Sequence, residues 1–494
     1  MPEPNKSVYL ELVGEKDVTI DFNGGELVGC VATGLLSLQG CTNVTVRNVS
    51  LDYAELPFTQ AVIEKVDADR NWDVRVVPGY PCPDAAQLKG GDDAFWPVQA
   101  YDAQTREPKN FMRFRDGIAI ARTGRDTYRI TGGQNRTGDV GDIAVWSIRE
   151  TGRPIAASAV AAGACAHCTF ENVTVYSTPH GCGFAEGSAD ANVYRNCRLV
   201  RRPPETDLFP RAMPRLRSGN HDAFNSRCSY VGPTLDGCTF QYHCDDCVNI
   251  SGFYAIVVGQ KGREVRLAPY GALRIAPGDT CQLLTFEGQC PPDAKLVSIV
   301  PDGPTTAAER KLFESYNLWP GLCRNLPNAY RATLDSDAAL PTGSVLISNR
   351  RMGNGFVIRN CTMGHNRARG LLIKASDGVM ADNVLEGVEG YAIQISPEYE
   401  WMEGGCSRNL KVERNVFRRN GGGVLLAGNN GARKPLPADS HRDIAITGNR
   451  IEDCWSGIDV VGCTGLDLRG NEIRLQAGVK KQPVNLTNVA DVRR

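Results

Sequence analysis

A short strand followed by a turn residue, most often Asn, recurs along the chain and predicts an all-β fold, a right-handed parallel β-helix of stacked coils. The Asn markers lie 22 to 24 residues apart where the repeat is uninterrupted, as from Asn172 to Asn196. Gly, Asn and Asp turns separate short runs of Val, Ile and Leu, which is a β composition. A chain of 494 residues is also long for one compact core, and a solenoid avoids that limit by growing along one axis.

The repeat unit is visible in nine segments: 43–53, 168–177, 191–200, 234–243, 356–365, 378–387, 409–420, 443–453 and 465–475. Two intervals, from Asn383 to Asn415 and from Asn415 to Asn449, are 32 and 34 residues, which predicts coils carrying insertions of about ten residues. A leucine-rich repeat has a similar length, but its consensus is absent. Asn tolerates the left-handed backbone of a turn and stacks its amide on the next coil, so these residues are predicted to be structural.

Two regions break the period with alternating strands and Gly, Pro or Asp turns, which predicts antiparallel barrel-like subdomains inserted into the solenoid. The predicted organisation is first coils over 1–53, an insertion over 54–150, coils carrying an acid cluster over 151–253, a second insertion over 254–350 and C-terminal coils over 351–494. A Pro- and Arg-rich excursion over 202–220 ends beside the acid cluster.

Charge and cysteine usage exclude several classes of protein. Lys and Arg total 55 against 56 Asp and Glu, a formal charge of -1, which argues against a general nucleic-acid or anionic-membrane binder. No apolar stretch reaches the roughly 20 residues of a membrane span, and the N-terminus lacks the pattern of a signal peptide. Of 18 cysteines, Cys197, Cys238 and Cys361 share a repeat position, so we expect apolar fillers rather than disulfides or zinc ligands.

Three aspartates carry the candidate chemistry. Asp222 and Asp245 are 23 residues apart, one coil, and Asp246 follows directly. Equivalent positions in neighbouring coils stack at roughly 4.8 Å, a distance at which carboxylates repel one another, so stability alone does not explain the cluster. Glycoside hydrolysis requires two carboxyl groups at the scissile bond, one as acid and one as base or nucleophile. The bland alternative is that these acids cap a turn.

Other polar residues near the cluster are candidate sugar ligands. His221 and His243 lie about one coil apart, and either hydrogen bonds to a sugar or burial in a ladder explains them. Asn249 follows the acid pair, and Arg367, Arg369 and Lys374 follow the second insertion.

The segment 397–405 predicts a sugar-binding lip, because an aromatic face packs on the apolar face of a galactose-like ring. Trp401 and Glu403 are its predicted functional residues. Glu398 and Glu400 are read as solvated loop carboxylates.

D-A-F-N-S-R-C-S-Y-V-G (222–232) and C-T-F-Q-Y-H-C-D-D-C-V-N-I-S-G-F-Y (238–254) resemble the α-1,3-galactosidases of glycoside hydrolase family 110. L-P-F-T-Q (56–60), R-A-R-G-L-L-I (367–373) and W-M-E-G-G (401–405) also resemble that family, in the same order. The resemblance extends over about residues 16 to 475. It implies a β-helix with inserted barrels, and inverting release of terminal α-1,3-linked galactose from glycans without metal or organic cofactor.

The resemblance also assigns roles. Asp222, Asp245 and Asp246 form the catalytic cluster, with Asp245 as the water-activating base and Asp222 or Glu403 as the acid. Departures from the family pattern stand at Phe224 or Asn225, at Ser251 and at Gly404. They put the sugar in question more than the reaction, because hydroxyl-reading groups set specificity while the carboxyls set the chemistry.

Three competing interpretations remain open. The D-D-C motif also resembles the polygalacturonases of glycoside hydrolase family 28, although P-H-G-C-G (179–183) stands upstream of it rather than downstream. A polysaccharide lyase would hold Ca²⁺ on the acids and use an Arg or Lys base. A noncatalytic glycan-binding solenoid is the third. The resemblance favours export, and the sequence leaves homo-oligomerisation open.

Overall fold

A computed structural model describes residues 8–30, 33–84, 87–88, 98–111, 118–132, 137–148, 158–316, 318–323 and 325–494. The main body is a 28-stranded sheet wound into coils, in which strands of successive coils pair in parallel. Phe224, for example, lies opposite Phe184 in the coil before and opposite Val248 in the coil after. The predicted parallel β-helix is confirmed.

The coils form three stacks of strands. The first stack comprises Val8–Val13, Gly34–Gln39, Val160–Gly163, Phe184–Gly187, Phe224–Arg227, Val248–Phe253, Leu371–Ile373, Tyr391–Ile395, Gly422–Leu426, Ile458–Asp467 and Val484–Arg493. The second stack comprises Thr19–Gly29, Thr45–Tyr53, Thr169–Val175, Val193–Arg195, Thr234–Asp236, Val357–Arg359, Val379–Ala381, Arg408–Glu413 and His441–Thr447. The third stack begins with the first three strands of the second stack, which belong to both stacks. It then continues with Arg198–Leu199, Thr239–Gln241, Thr362–Gly364, Val384–Glu386, Val416–Arg418, Arg450–Cys454 and Glu472–Leu475.

The coil interior is apolar, and its turns are built as predicted. All 18 cysteines lie within the described residues and are free, and Cys197, Cys238 and Cys361 belong to the solenoid core. Asn172 and Asn196 take the left-handed conformation, with φ of 53° and 51°. The structural interpretation of the Asn and Cys repeats is confirmed.

The two insertions differ in shape. Within the described residues the first is an open sheet of seven antiparallel strands: Phe58–Val66, Trp72–Val76, Gln99–Tyr101, Pro108–Phe111, Ala119–Arg122, Thr127–Thr131 and Ile143–Ser147. The second closes into a barrel of six strands: Ala255–Lys261, Glu264–Pro269, Thr280–Leu284, Ala294–Pro304, Asn328–Leu334 and Val345–Ser348. The second also carries the described α-helices, Ala307–Glu314 and Pro320–Cys323. None of the helices in the described ranges is long and apolar enough to cross a membrane.

The excursion before the acid cluster is fastened to the first coils by buried charges. Arg215 donates to both carboxylate oxygens of Asp52, at 2.9 and 3.0 Å, and also to Asp207. Arg202 joins Asp52 and Glu26. These ion pairs bring the chain back to the solenoid just ahead of Asp222.

Candidate active site

The acid cluster arises from the register of the first stack. Strand Phe224–Arg227 pairs with the next coil at an offset of 24 residues, so Asp222 lies beside Asp246. The amide of Asp246 donates to Oδ1 of Asp222 at 3.2 Å. The same column continues to Cys182 in the coil before and to Arg369 in the coil after.

The expectation that Asp245 is the one-coil neighbour of Asp222 is wrong by one residue. The coil is 24 residues at this point rather than 23, so Asp246 takes the stacked position. Asp245 lies one residue earlier and is the most open of the three, with 15% of its side chain exposed against 4% for Asp222 and Asp246. One oxygen from each carboxylate lies within 4.8 Å of the others.

Cations from the coil after the second insertion face the cluster. Nη2 of Arg367 lies 2.7 Å from Asp245, and Nε of Arg369 lies 3.0 Å from Asp246. The backbone amide of Arg369 also donates to Asp246, at 2.8 Å. The predicted basic residues therefore balance the carboxylates that would otherwise repel one another.

Burial and charge act differently on the stacked pair. Burial raises the pKa of Asp246 well above its usual range, opposed by Arg369 and supported by the negative charge of Asp245 and Asp222. Burial also acts to raise the pKa of Asp222, but the charge of His221 and the hydrogen bond from Asn225 outweigh it and lower that pKa. The two stacked carboxyls are therefore shifted in opposite directions, with the pKa of Asp246 raised and that of Asp222 lowered.

A second carboxylate pair lies beside the first. Lys374 donates to Glu403 at 2.6 Å and lies 3.1 Å from Glu398. The prediction that Glu398 is a solvated loop carboxylate is wrong: it is buried, because Lys374 and Arg369 draw it into the site. Glu400 is half-buried and lies 3.6 Å from Arg433.

Aromatic side chains form the opposite wall. Trp401 stacks on Trp319 of the second insertion, with ring centroids 4.8 Å apart and planes 20° apart. Phe253 meets Tyr270 edge to face at 4.8 Å. A Cβ at Gly404 would approach the ring of Tyr254 to 1.8 Å, so only Gly fits where the family pattern has another residue.

These groups enclose a pocket of about 700 Å³. It is lined by His221, Asp222, Arg227, Asp245, Asp246, Asn249, Phe253, Tyr270, Trp319, Leu322, Arg367, Arg369, Glu398, Glu400, Trp401 and Glu403. The lining therefore combines polar and charged groups with four aromatic rings, those of Phe253, Tyr270, Trp319 and Trp401.

Two predicted ligands lie outside the lining. His243 is fully buried, and neither ring nitrogen has a hydrogen-bond partner among the described residues, so its place supports the buried-ladder alternative. Burial lowers its pKa to about 3, which keeps the ring neutral. Lys374 is fully buried and reaches the pocket only through Glu398 and Glu403.

Sequence reasoning missed several lining residues. Arg227 ends the strand Phe224–Arg227, which follows Asp222 on the same coil, and could have been found by following that strand to its last residue. Tyr270, Trp319 and Leu322 come from the second insertion, where no repeat indicates which side chain faces the coils. Trp319 carried no signal beyond being a Trp outside the solenoid.

Comparisons with known proteins agree with this architecture. A family model described as a right-handed β-helix region matches residues 341–473. Alpha-1,3-galactosidase B of Bacteroides thetaiotaomicron is 24% identical over 433 residues, and alpha-1,3-galactosidase A of Streptomyces avermitilis is 24% identical over 251 residues. These matches cover 83% and 48% of this chain.

The chain spans 64% and 38% of the lengths of those two relatives. Among solved structures, the family 28 exopolygalacturonase of Yersinia enterocolitica is 10% identical with a TM-score of 0.35, covering 97% of this chain and 72% of that one. The resemblance seen in the sequence motifs is confirmed: the chain is a right-handed parallel β-helix similar, at low identity, to the α-1,3-galactosidases of glycoside hydrolase family 110.

Proposed function

We propose that this chain is an exo-acting, inverting glycoside hydrolase that releases a terminal α-linked galactose, with the α-1,3 linkage favoured, from glycans. The observation that carries the proposal is the cluster of Asp222, Asp245 and Asp246 on the floor of one pocket. Two carboxyl groups at the scissile bond are what acetal hydrolysis requires. The similarity to two proteins named alpha-1,3-galactosidase supports the choice of sugar.

Asp245 is the proposed water-activating base. It is the most exposed of the three carboxylates, and Nη2 of Arg367, at 2.7 Å, holds it in place at the pocket. The stacked Asp222 and Asp246 supply the proton to the leaving oxygen. Glu403 is less suited to the acid role because its carboxylate already accepts a hydrogen bond from Lys374, at 2.6 Å.

The remaining lining residues fit substrate binding. Glu398, Glu403 and Asn249 offer hydrogen-bond acceptors and donors to sugar hydroxyls, while Trp401 and Trp319 offer flat apolar faces to a ring. Terminal, exo-acting cleavage suits a pocket better than an open groove. Arg367 and Arg369 hold the carboxylates in place.

The test is a panel of α- and β-glycosides followed by proton NMR. We expect release of galactose from an α-galactoside without added metal, with β-galactose as the first product. The inverting outcome rests on the resemblance to family 110, because the nearest oxygens of the three carboxylates lie within 4.8 Å of one another, closer than the about 6.5–9.5 Å typical of inverting pairs and nearer the about 5–5.5 Å of retaining ones. The first anomer formed distinguishes the two outcomes. No hydrolysis across the panel by folded protein would refute the enzyme proposal.

A further inference from the structure

Cys182 lies at one end of the acid column, beside Asp222 in the neighbouring coil. Its sulfur is 3.9 Å from Nδ1 of His221, and that same nitrogen is 3.6 Å from Oδ1 of Asp222. The three donor atoms all lie within 4.8 Å of one another. A thiol, an imidazole and a carboxylate therefore converge on one point.

This convergence is not that of a nucleophile relay. In a Cys-His-acid relay the thiol and the carboxylate contact different ring nitrogens, so that a proton passes along a line. Here the sulfur and the carboxylate oxygen both face Nδ1 of His221. Three donors around one point are what a coordinated cation requires.

We propose that Cys182, His221 and Asp222 bind one Zn²⁺ ion, and that this ion inhibits the enzyme. Zn²⁺ takes sulfur at about 2.3 Å and nitrogen or oxygen at about 2.0–2.2 Å, so tetrahedral neighbours lie about 3.3–3.6 Å apart. The observed 3.9 and 3.6 Å come within a few tenths of an ångström of that geometry. Ca²⁺ and Mg²⁺ prefer oxygen ligands alone and do not suit a thiol.

The surroundings favour this position over the neighbouring acid trio. Asp245 and Asp246 are each paired with an arginine, so a cation there would have to displace Arg367 and Arg369. Other coil thiols, such as Cys197 and Cys454, lie against backbone carbonyls inside the core. Cys182 instead faces a ring that lines the pocket.

Access from solvent and the shared ligand explain the inhibition. His221 and Asp222 line the pocket, so Zn²⁺ can enter and keep water or a sugar hydroxyl as its fourth ligand. A zinc ion on Asp222 ties up one carboxyl group of the stacked pair that supplies the proton, and it occupies the part of the pocket lined by His221 and Asp222. The inhibition rests on the proposed hydrolase function, whereas the binding of zinc does not.

Binding is tested on chelator-treated full-length chain by calorimetry with Zn²⁺ and by absorption with Co²⁺, which shows a thiolate charge-transfer band when sulfur is a ligand. We expect one site per chain and the band in the wild type. Cys182→Ser and His221→Gln should each weaken Zn²⁺ binding at least about ten-fold. Cys228→Ser, which removes another buried thiol near the site, should bind as the wild type does.

Inhibition is tested on the same proteins. Zn²⁺ should suppress hydrolysis by the wild type and Cys228→Ser, while Cys182→Ser keeps its activity at the same concentration. Any of three results would overturn the proposal. The wild type could lack the thiolate band, Cys182→Ser could bind Zn²⁺ as tightly as the wild type, or the zinc-bound enzyme could keep full activity. Because calorimetry and absorption need no substrate, an inactive chain would leave the binding test intact.

Discussion

At the scale of single residues, the pocket pairs each buried acid with a specific partner. Arg367 forms an ion pair with Asp245, and Arg369 forms one with Asp246. Lys374 forms ion pairs with both Glu398 and Glu403. Buried carboxylates persist only when such partners offset the loss of hydration. All three aspartates line the pocket, and Asp245 is the most exposed of them, with 15% of its side chain exposed against 4% for Asp222 and Asp246.

Asp245→Asn should lower kcat at least about 10³-fold, because an amide cannot take a proton from water. KM should change little, since the side chain keeps its size and its place beside Arg367. The measurement is steady-state hydrolysis of an α-galactoside. Asp236→Asn, at the end of the strand Thr234–Asp236 and paired with Arg359 outside the pocket, is the matched control and should retain wild-type rates. Equal rates for both variants would exclude Asp245 as the base.

His441 should make stability depend on pH. Nδ1 of His441 accepts a hydrogen bond from the amide of Ser407, and Nε2 lies 2.7 Å from the carbonyl of Ala427. These contacts suit the neutral ring, and burial lowers the pKa of His441 to about 4. As the pH falls, the His441 ring of the unfolded chain takes up a proton near pH 6.5, before the ring of the folded chain does. The free energy of unfolding is therefore highest above pH 6.5 and decreases by up to about 3 kcal/mol as the pH falls toward 4.

Thermal denaturation between pH 7.5 and 4.5 measures this loss. The midpoint of His441→Gln should fall less steeply with pH than that of the wild type. His167→Gln, at an exposed turn, is the control and should follow the wild-type slope. Parallel slopes for His441→Gln and the wild type would contradict the assignment.

At the scale of elements, a buried amide ladder joins the C-terminal coils. Asn415 accepts from both the backbone and the side chain of Asn383, and it donates to Met380 and to Asn449. The ladder continues to Asn471. Each rung satisfies polar groups that burial would otherwise leave without partners.

Asn415→Ala should therefore destabilise the protein by about 2–4 kcal/mol, since it leaves buried amide groups of its neighbours unpaired. Chemical denaturation reports the change. Asn485→Ala, which removes an exposed amide bonded to Asp459, should cost less than about 1 kcal/mol. A similar cost at both positions would mean that the ladder adds no stability.

The aromatic wall is shared by two elements. Trp401 follows a solenoid strand, and Trp319 belongs to the second insertion. Both stacked rings line the same pocket as the acid cluster, and both lie outside the β-strands.

Trp319→Ala should raise KM for a di- or trisaccharide roughly ten-fold, equivalent to about 1.4 kcal/mol, and should leave kcat for an activated aryl galactoside nearly unchanged. Steady-state kinetics on both substrates separates the two effects. Trp455→Ala, which removes an exposed indole outside the pocket, is the control. Loss of kcat on both substrates would place Trp319 in the chemistry instead.

At the scale of the whole molecule, long-range ion pairs hold the site together. Arg215 in the excursion reaches Asp52, which is 163 residues earlier, and both side chains are fully buried. This contact fastens the segment that leads into Asp222. The solenoid supplies the repeat, and such contacts fix how the irregular segments close on it.

Arg215→Met should cost about 3–5 kcal/mol, because it leaves buried carboxylates without one of their cations. Thermal or chemical denaturation measures it. Arg47→Met, which breaks an ion pair with Asp21 that is largely exposed, should change the stability little, because solvent screens the pair. If both variants unfold alike, the buried network does not hold the excursion.

The sequence by itself determined the solenoid, the turn chemistry and most of the polar floor of the site. A coil repeat converts sequence spacing into distance, so the spacing alone places Asp222 and the Asp245–Asp246 pair on adjacent coils. The same repeat predicts that the recurring Cys and Asn residues have structural roles in the coils. Local periodicity carries this information because each coil contacts chiefly its neighbours.

The tertiary structure alone decided the rest. A one-residue difference in coil length put Asp246, not Asp245, beside Asp222, which a repeat of about 23 residues cannot resolve. Burial of Glu398 depends on Lys374 from another coil, and Trp319 comes from an insertion that has no repeat. Those contacts join segments that are far apart in sequence. Neither the repeat period nor the composition indicates which distant segments come into contact.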